Sequence, residues 1–270
     1  MTLNLDSYNK NGFLILPKFL SNTCINSLIK SLTWLVKAQL AATGADLPIS
    51  AVSRHQKPID TLSDLIIYLK ELSPERQGFV YDQVNRLPWM HNFASNELLI
   101  NFARQLLSEN IAIHSRLNIV MSPPGEEWHL ARWHQDSYYN QSNHLVAYVP
   151  LQDATPNNGS LQIAEGNHLD GLLPHDDIRP DNKWIAINKS AVSGFNNVRM
   201  LDLKKGDLLL FDGNLPHTAT LNNSDCARFA ITIRFSNLED EFFIGRGWIW
   251  EDLSIKGANA LKSKMQPQRL

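Results

Sequence analysis

Residues 204–235 read KKGDLLLFDGNLPHTATLNNSDCARFAITIRF, a stretch with two apolar runs and turn-forming residues between them. The run DLLLFDG is short and continuously apolar, and RFAITIRF alternates large apolar residues with small or polar ones, so both patterns predict β-strands. Short strands separated by Gly, Pro, Asn and Asp are typical of β-sandwiches and closed barrels. This stretch therefore predicts a β core that carries His217 and Arg228.

The strand pattern continues through the second half of the chain, whereas the first half has helical spacing. From about Ile111 onward, the segments SRLNIVMS, HLVAYVPLQD and SLQIAEG are typical of strands. Earlier in the chain, apolar residues recur at steps of three and four after Ser21, and again over about 61–72 and 97–107, which predicts helices. Ser21 is a suitable N-cap for the first of these helices.

No internal repeat or domain boundary interrupts the chain, so we expect one domain over residues 1–270. It would consist of a mainly helical flank over 1–110 and a β core over 111–250, with an insertion at about 170–199. The insertion is rich in Asp, Asn, Pro and Gly and has no sustained periodicity, so it is interpreted as a long loop. Long loops inside compact domains serve as lids over a pocket or are mobile surface insertions; we expect a lid.

Composition excludes several classes of function. The chain has 43% hydrophobic and 19% charged residues, which is typical of globular proteins, and its net charge of −2 gives no general attraction to nucleic acid or anionic lipid. We therefore expect neither a nucleic-acid nor a membrane partner. Its two cysteines lie far apart, and neither a signal-peptide pattern nor a membrane-spanning run is present. These features predict a reducing cytoplasm, where ferrous iron is stable. We also expect a monomer or weak homo-oligomer.

The segment ARWHQDSYYN, residues 131–140, places His134 and Asp136 two positions apart. In an extended strand, residues i and i+2 point to the same side, so one metal ion could contact both side chains. They would then be two of the three ligands in the two-histidine, one-carboxylate triad, which holds ferrous iron and leaves coordination positions open. A His-x-Asp triplet alone is also compatible with a surface hydrogen-bonded pair. A metal site therefore needs a distant histidine as its third ligand.

His217 is the candidate for that third ligand. If Asn222 to Asp225 close a hairpin, His217 faces Ala230 and shares the inner face of the sheet with Arg228. The alternate residues would form a dry core on the other face: Phe229, Ile231, Ile233 and Phe235. A guanidinium beside a metal suits a chelating dicarboxylate, because its far carboxylate can pair with arginine. The alternative is that Arg228 is a solvent-facing charge.

Four stretches together resemble the phytanoyl-CoA dioxygenase (PhyH) family of iron(II)- and 2-oxoglutarate-dependent oxygenases. They are GFLILPKFLS, HQDSYY, VPLQDATPNNGSLQIAEGNH and the stretch over 204–235, and they span most of the chain. The resemblance implies a mainly β fold, namely a double-stranded β-helix (jelly roll, cupin-like barrel) with flanking N-terminal helices. It also implies that His134, Asp136 and His217 hold Fe(II) and that Arg228 binds the distal carboxylate of 2-oxoglutarate.

One position departs from the family pattern. Family members often carry Ser or Thr two residues after the distal histidine as a second contact to that carboxylate, and here the position is Ala219. Thr218 or Thr220 could substitute through a shift in register. Tyr148 or Asn118 could otherwise supply the missing hydrogen bond.

The implied activity is that of a dioxygenase which uses O2 and 2-oxoglutarate and releases succinate and CO2. Related halogenases have a small residue in place of the metal carboxylate, so Asp136 favours hydroxylation of a small-molecule or natural-product substrate. The candidate substrate-lining residues are Trp133, Tyr138, Tyr139, Gln162, Trp184 and Phe195. Packing in the core is the alternative for each of them.

Two other functions stay open. A jelly roll that binds ligands without turnover would keep the same residues. A zinc hydrolase could use His129 with His134 and Asp136, but a spacing of five suits neither one face of a strand nor a helical pair.

Overall fold

The computed structural model describes residues 2–46, 57–114, 116–127, 130–140, 143–176 and 185–240. The helices are α1 Leu5–Asn11, α2 Asn22–Ala41, α3 Pro58–Leu72, α4 Pro74–Val84, α5 Pro88–Ala94, α6 Glu97–Leu106, α7 Asp136–Asn140 and α8 Lys189–Val192. The strands are β1 Phe13–Leu16, β2 Ile111–Ile113, β3 Asn118–Ser122, β4 His144–Pro150, β5 Leu161–Ala164, β6 His175–Asp176, β7 Ala186–Ile187, β8 Val198–Met200, β9 Leu208–Asp212, β10 His217–Ala219 and β11 Arg228–Asn237.

The three helices predicted from spacing form as α2, α3 and α6. Ser21 is the N-cap of α2, and its side chain accepts a hydrogen bond from the Cys24 backbone N–H at 3.2 Å. The apolar stripe of α2 is buried along its whole length. Two further helices, α4 and α5, begin at Pro74 and Pro88, where proline occupies a first-turn position that needs no N–H donor.

Two antiparallel sheets form the β core. The larger sheet has the order β1-β9-β4-β11-β2, with β3 also paired to β11, and the smaller sheet has the order β10-β5-β8. The larger sheet includes β1, which comes from the predicted helical flank and pairs with β9 from Phe13 opposite Phe211 to Leu16 opposite Leu208. The first 110 residues therefore supply an edge strand of the larger sheet as well as helices.

Strand β11 separates two environments. Its large apolar residues pack in one cluster with the N-terminal helices, and all are fully buried: Phe229, Ile231, Ile233 and Phe235. The intervening residues face the space between the sheets: Arg228, Ala230, Thr232 and Arg234. The predicted assignment of the two faces of this strand is therefore confirmed.

The predicted hairpin between β10 and β11 is wrong. His217 pairs with Ile163 on β5, while Ala230 pairs with Pro150 on β4, so the two strands lie in different sheets. The connection is held as it crosses between sheets because the Asn222 side chain donates to the carbonyls of Ser122 at 2.7 Å and Cys226 at 2.8 Å. A turn pattern in sequence specifies a change of direction, but it does not specify which strand will be the partner.

The described residues of the insertion, 170–176 and 185–199, contain more regular structure than the predicted long loop. They form β6 and β7, which pair with each other, and then α8 and β8. The β8 strand completes the smaller sheet by pairing with β5. Separately, no helix in the described part of the chain is both long and apolar enough to cross a membrane.

We predict that Leu210→Ala strongly destabilises the fold. Leu210 is 0% exposed on β9 within the cluster that joins the larger sheet to the helices. Truncation leaves a cavity there and should lower the free energy of unfolding by about 2–5 kcal/mol in urea denaturation. Leu169→Ala deletes the same atoms at a site that is 72% exposed, and it should change stability by less than about 0.5 kcal/mol. Equal effects of the two substitutions would contradict this packing.

Candidate metal centre

Two backbone hydrogen bonds bring the histidines together. The His134 N–H donates to the His217 carbonyl, the His217 N–H donates to the His134 carbonyl, and both bonds measure 3.0 Å. This reciprocal pairing is an isolated antiparallel bridge between the HQD segment and β10. The two imidazoles consequently lie side by side, with ring centroids 4.1 Å apart.

Asp136 completes a compact group of three donors. One ligand atom from each of His134, Asp136 and His217 lies within 4.8 Å of the others, and the His134 Nε2 is 3.8 Å from the Asp136 Oδ1. Two imidazole nitrogens and one carboxylate oxygen match the facial triad used for non-haem ferrous iron. Because the donor set fits, these are the residues that would hold the ion.

Both imidazoles are oriented to offer Nε2. The His134 Nδ1 lies 2.7 Å from the Arg132 carbonyl, and the His217 Nδ1 lies 3.0 Å from the Leu215 carbonyl. An Nδ1–H that donates to a carbonyl leaves the Nε2 lone pair free for a metal. Burial, and then the neighbouring His217, lowers the pKa of His134 to about 4; burial also lowers the pKa of His217. Both rings are therefore neutral near pH 7, as ligation requires.

The Asp136 carboxylate is held in its ionised form. Burial raises the pKa of Asp136, but the Arg234 guanidinium and the two neighbouring imidazoles outweigh burial and keep this pKa well below its usual range. The Arg234 Nε donates to Oδ2 of Asp136 at 2.9 Å. The site thus has the protonation states of a metal centre before any ion binds.

The residue between the two ligands faces the opposite way. Gln135 is fully buried, and its amide nitrogen donates to the carbonyls of Gly171 at 2.8 Å and Asn214 at 2.6 Å. Its amide oxygen accepts from the Leu173 N–H at 2.8 Å. These bonds join the metal-ligand segment to the insertion on one side and to the loop before β10 on the other.

A cavity of about 930 Å³ opens from the metal centre between the two sheets. Arg228 lies on its wall with 0% of its surface exposed, and the guanidinium bonds only uncharged groups. Nη1 donates to the Tyr148 hydroxyl at 2.5 Å, Nη2 to the Ser122 hydroxyl at 2.8 Å, and Nε to the Asn158 carbonyl at 3.2 Å. No carboxylate among the described residues pairs with this buried cation.

The structure places the predicted 2-oxoglutarate contacts at different distances from Arg228. Tyr148 contacts it directly, and Asn118 lines the same cavity without a hydrogen bond to it. Thr218 also lines the cavity, but its hydroxyl donates to the Ala131 carbonyl at 2.7 Å. The Thr220 hydroxyl is directed to the carbonyls of Pro156 and Ser160. Neither threonine hydroxyl therefore takes the place of the side chain that Ala219 lacks.

Most of the candidate substrate residues contact the insertion. Trp133 packs edge-to-face on Phe195 at 5.2 Å, and Tyr138 stacks on His175 at 4.1 Å. Tyr139 lines the cavity and donates its hydroxyl to the Ile185 carbonyl at 2.6 Å. Trp133, Tyr138, Gln162 and Phe195 are not among the residues that line the cavity. No described residue of the insertion lines it either, and Trp184 and His129 lie outside the described residues.

Two residues of the site were missed in the sequence. Ser122 is the last residue of β3 and pairs directly with Arg228 on β11. No pattern within its own strand marks it, because its role comes from the cross-strand register. Arg234 could have been found, because it lies on the same face of β11 as Arg228 and alternation places it in the interior.

We predict that the protein binds one divalent metal ion per chain through these three residues. His217→Ala removes a ligand and should weaken Co(II) binding by more than the 10–100-fold that is typical for loss of an outer-sphere partner. His91→Ala, which changes an exposed histidine of α5, is the matched control and should bind like the unaltered protein. Calorimetry under anaerobic conditions measures both. Unchanged affinity in His217→Ala would show that the ion binds elsewhere.

Stability of the metal-free protein should fall in mildly acidic solution. The unfolded chain takes up a proton at His134 below about pH 6.5, whereas the folded chain resists this until about pH 4. Stability is therefore full above pH 6.5 and is lost as the pH falls toward 4, by up to about 1.4 kcal/mol per pH unit for this group. Urea denaturation at several pH values measures the slope. His134→Gln should flatten it, and an identical slope in both proteins would contradict the buried neutral imidazole.

Solved structures of similar shape confirm the predicted jelly-roll fold with flanking N-terminal helices. The epimerase SnoN in complex with Fe3+, alpha ketoglutarate and nogalamycin RO aligns with a TM-score of 0.58 at 16% identity, over 87% of this chain and 82% of that one. EvdO2 from Micromonospora carbonacea var. aurantiaca, complexed with 2-oxoglutarate, aligns with a TM-score of 0.53 at 19% identity, over 88% and 92% of the two chains.

Comparisons with curated proteins and with a family model identify the family of the chain. The chain is 28% identical over 151 residues to the ectoine dioxygenase of Sphingopyxis alaskensis, covering 50% of this chain and 49% of that protein. It is 23% identical over 276 residues to the peroxisomal phytanoyl-CoA dioxygenase of Bos taurus, covering 95% and 74%. The chain spans about half the length of some of these relatives. The model "Phytanoyl-CoA dioxygenase (PhyH)" matches residues 8–230, and the chain belongs to this family.

Proposed function

We propose that this protein is a non-haem Fe(II)- and 2-oxoglutarate-dependent dioxygenase. It would hydroxylate a small-molecule or natural-product substrate with O2 and release succinate and CO2. The observation that carries the proposal is the fully buried guanidinium of Arg228, which has only uncharged partners and lies on the same cavity as the His134, Asp136 and His217 cluster.

A buried charge without a counter-ion is unfavourable, because neutral hydrogen-bond partners do not replace the solvation that burial removes. An anionic ligand that enters the cavity would neutralise Arg228. A carboxylate suits it best, because arginine binds carboxylates through two parallel N–H bonds. The hydroxyls of Ser122 and Tyr148 flank the guanidinium and would contact the same carboxylate. We assign to these two residues the second contact that Ala219 cannot make.

The three metal ligands supply the other half of the cosubstrate site. Held by these three residues, an iron ion would have positions left for a chelating 2-oxo acid and O2. When bound, the iron supplies the redox chemistry that activates O2 as 2-oxoglutarate loses CO2. The protein would keep the two imidazoles neutral and Asp136 ionised, position the distal carboxylate of 2-oxoglutarate, and enclose the site within the barrel.

The substrate would be a small molecule in the remaining cavity. A volume of about 930 Å³ is at the upper end of the range for ligand pockets. Relatives named for ectoine and for 2-aminoethylphosphonate act on small polar molecules, and SnoN is an epimerase, so the outcome of oxidation varies among similar folds. We favour hydroxylation, in a cytoplasmic monomer or weak homo-oligomer without nucleic-acid or membrane partners.

Two alternatives make different predictions. A jelly-roll binding module would bind metal and 2-oxoglutarate but would not release succinate with any substrate. A zinc hydrolase that used His129, His134 and Asp136 would give no reason for the buried Arg228 on the same cavity, and His129 lies outside the described residues. Neither alternative is favoured by an observation of its own.

Turnover and cosubstrate binding test the proposal together. Anaerobic addition of Fe(II) and 2-oxoglutarate should produce a weak visible charge-transfer band, and air should then give succinate, with a faster rate when a correct substrate is present. Arg228→Gln should raise the KM for 2-oxoglutarate by about 30-fold or more, as for loss of a buried charged partner. Metal affinity should stay unchanged.

Arg199→Gln is the matched control. Arg199 is 53% exposed, and its ion pair with Glu165 is long, at 3.9 Å, so it contributes little. The substitution should leave KM as it is. Circular dichroism checks that Arg228→Gln remains folded. Absence of both the band and succinate in the iron-loaded protein would refute the dioxygenase function.

A further inference from the structure

The two oxygens of Asp136 have different neighbours. Oδ1 lies on the side of the imidazoles, 3.8 Å from the His134 Nε2. Oδ2 accepts a charge-assisted hydrogen bond from the Arg234 Nε at 2.9 Å. One oxygen therefore faces the metal position, and the other is engaged by a cation.

Arg234 reaches Asp136 from the inner face of β11. It pairs in register with Val146 on β4, and its own carbonyl accepts from the His114 N–H at 2.8 Å. Both partners of the ion pair are largely inaccessible, with side-chain exposures of 20% for Arg234 and 7% for Asp136. Among the described residues, Asp136 is the only acidic side chain that Arg234 contacts. The pair is thus specific and shielded from bulk solvent.

We infer that Arg234 is a positioning residue that keeps Asp136 a one-oxygen metal ligand. The inference rests on the proposed function, because its importance lies in the number of open coordination positions. A carboxylate beside a divalent cation can bind through one oxygen or through both. With both oxygens bound, Asp136 and two histidines occupy four of six positions, and the 2-oxo acid then leaves none for O2.

Two physical effects oppose that second bond. Oδ2 would have to give up its hydrogen bond to Arg234, and the guanidinium would then be left shielded without its counter-ion. The fixed backbone of β11 also limits how far Arg234 can follow, since both neighbouring strands hydrogen-bond to this region. The arginine therefore favours binding through Oδ1 alone.

The same arrangement predicts opposite effects on metal and on cosubstrate. Arg234 is a cation close to where a divalent ion binds, so it repels the ion at the same time as it orients its ligand. Removing Arg234 should leave the metal affinity unchanged or increase it. Oδ2 would then occupy a further coordination position of the ion, which should weaken 2-oxoglutarate binding. A purely structural role would lower both affinities together, because a misplaced Asp136 is a poorer ligand.

The test uses the full chain loaded with Co(II) under anaerobic conditions. Arg234→Met removes both charge and hydrogen bond, Arg234→Lys keeps the charge and one donor, and Arg199→Gln is the control at an exposed arginine. Calorimetry gives the affinity for Co(II) and then the affinity of the loaded protein for 2-oxoglutarate. The visible Co(II) spectrum reports coordination number, and thermal melting checks folding.

We expect Arg234→Met to bind Co(II) at least as tightly as the unaltered protein but to bind 2-oxoglutarate about tenfold or more weakly, within the range for loss of an outer-sphere partner. Its Co(II) spectrum should differ from that of the unaltered protein, and Arg234→Lys should restore part of the 2-oxoglutarate affinity. An identical spectrum with 2-oxoglutarate affinity within twofold would overturn the inference. A parallel fall of both affinities, without recovery in Arg234→Lys, would also overturn it.

Failure of the proposed function gives a different result. If the unaltered Co(II) protein does not bind 2-oxoglutarate at all, the dioxygenase proposal fails. The ligation mode of Asp136 is then decided by the Co(II) spectra alone: a difference between the unaltered protein and Arg234→Met supports the inference, and identity refutes it.

Discussion

The reciprocal backbone hydrogen bonds between His134 and His217 are the constraint on which the site depends. They tie a segment that precedes a short helix to a strand of the smaller sheet, and so they place two distant imidazoles on one side. Carbonyls two residues earlier then fix each ring through its Nδ1. Because main-chain groups set both position and tautomer, the donor atoms are arranged by the fold itself and not by the ion. Asp136 is the first residue of α7, so the segment is not the extended strand that the sequence predicted, yet its carboxylate lies with the two imidazoles.

Two arginines on one strand have unlike electrostatic roles. Arg228 is hydrogen-bonded to uncharged groups, so no acid among the described residues neutralises its charge. Arg234 is paired with an acid of the chain, so its charge acts inward on the metal ligand. Both face the interior because β11 alternates, and the metal ligands lie beside the second of them. This arrangement gives the cavity one end that attracts an anion and another end where charge is already balanced.

Much of the fold could be predicted from local patterns, because each depends on residues close in sequence. The α2 stripe, its Ser21 cap and the alternation of β11 are of this kind. The pairing of β10 with β5 could not be predicted, since partner choice depends on contacts between remote strands. The same reason hid Ser122, which acquires its role only from the register opposite Arg228. Trp133 and Tyr138 lie close to the ligands in sequence, yet their rings contact the insertion, a long-range contact that no local pattern specifies.

The alternation of β11 has a consequence for how such a protein diversifies. Odd-numbered positions from 229 to 235 lie in an apolar cluster shared with the helices, while Arg228, Thr232 and Arg234 line the cavity. Substitutions that affect stability and substitutions that affect the cavity therefore fall at alternate positions of the same strand. A substitution at Thr232 can therefore change the lining of the cavity while the apolar cluster on the other face of the strand stays as it is.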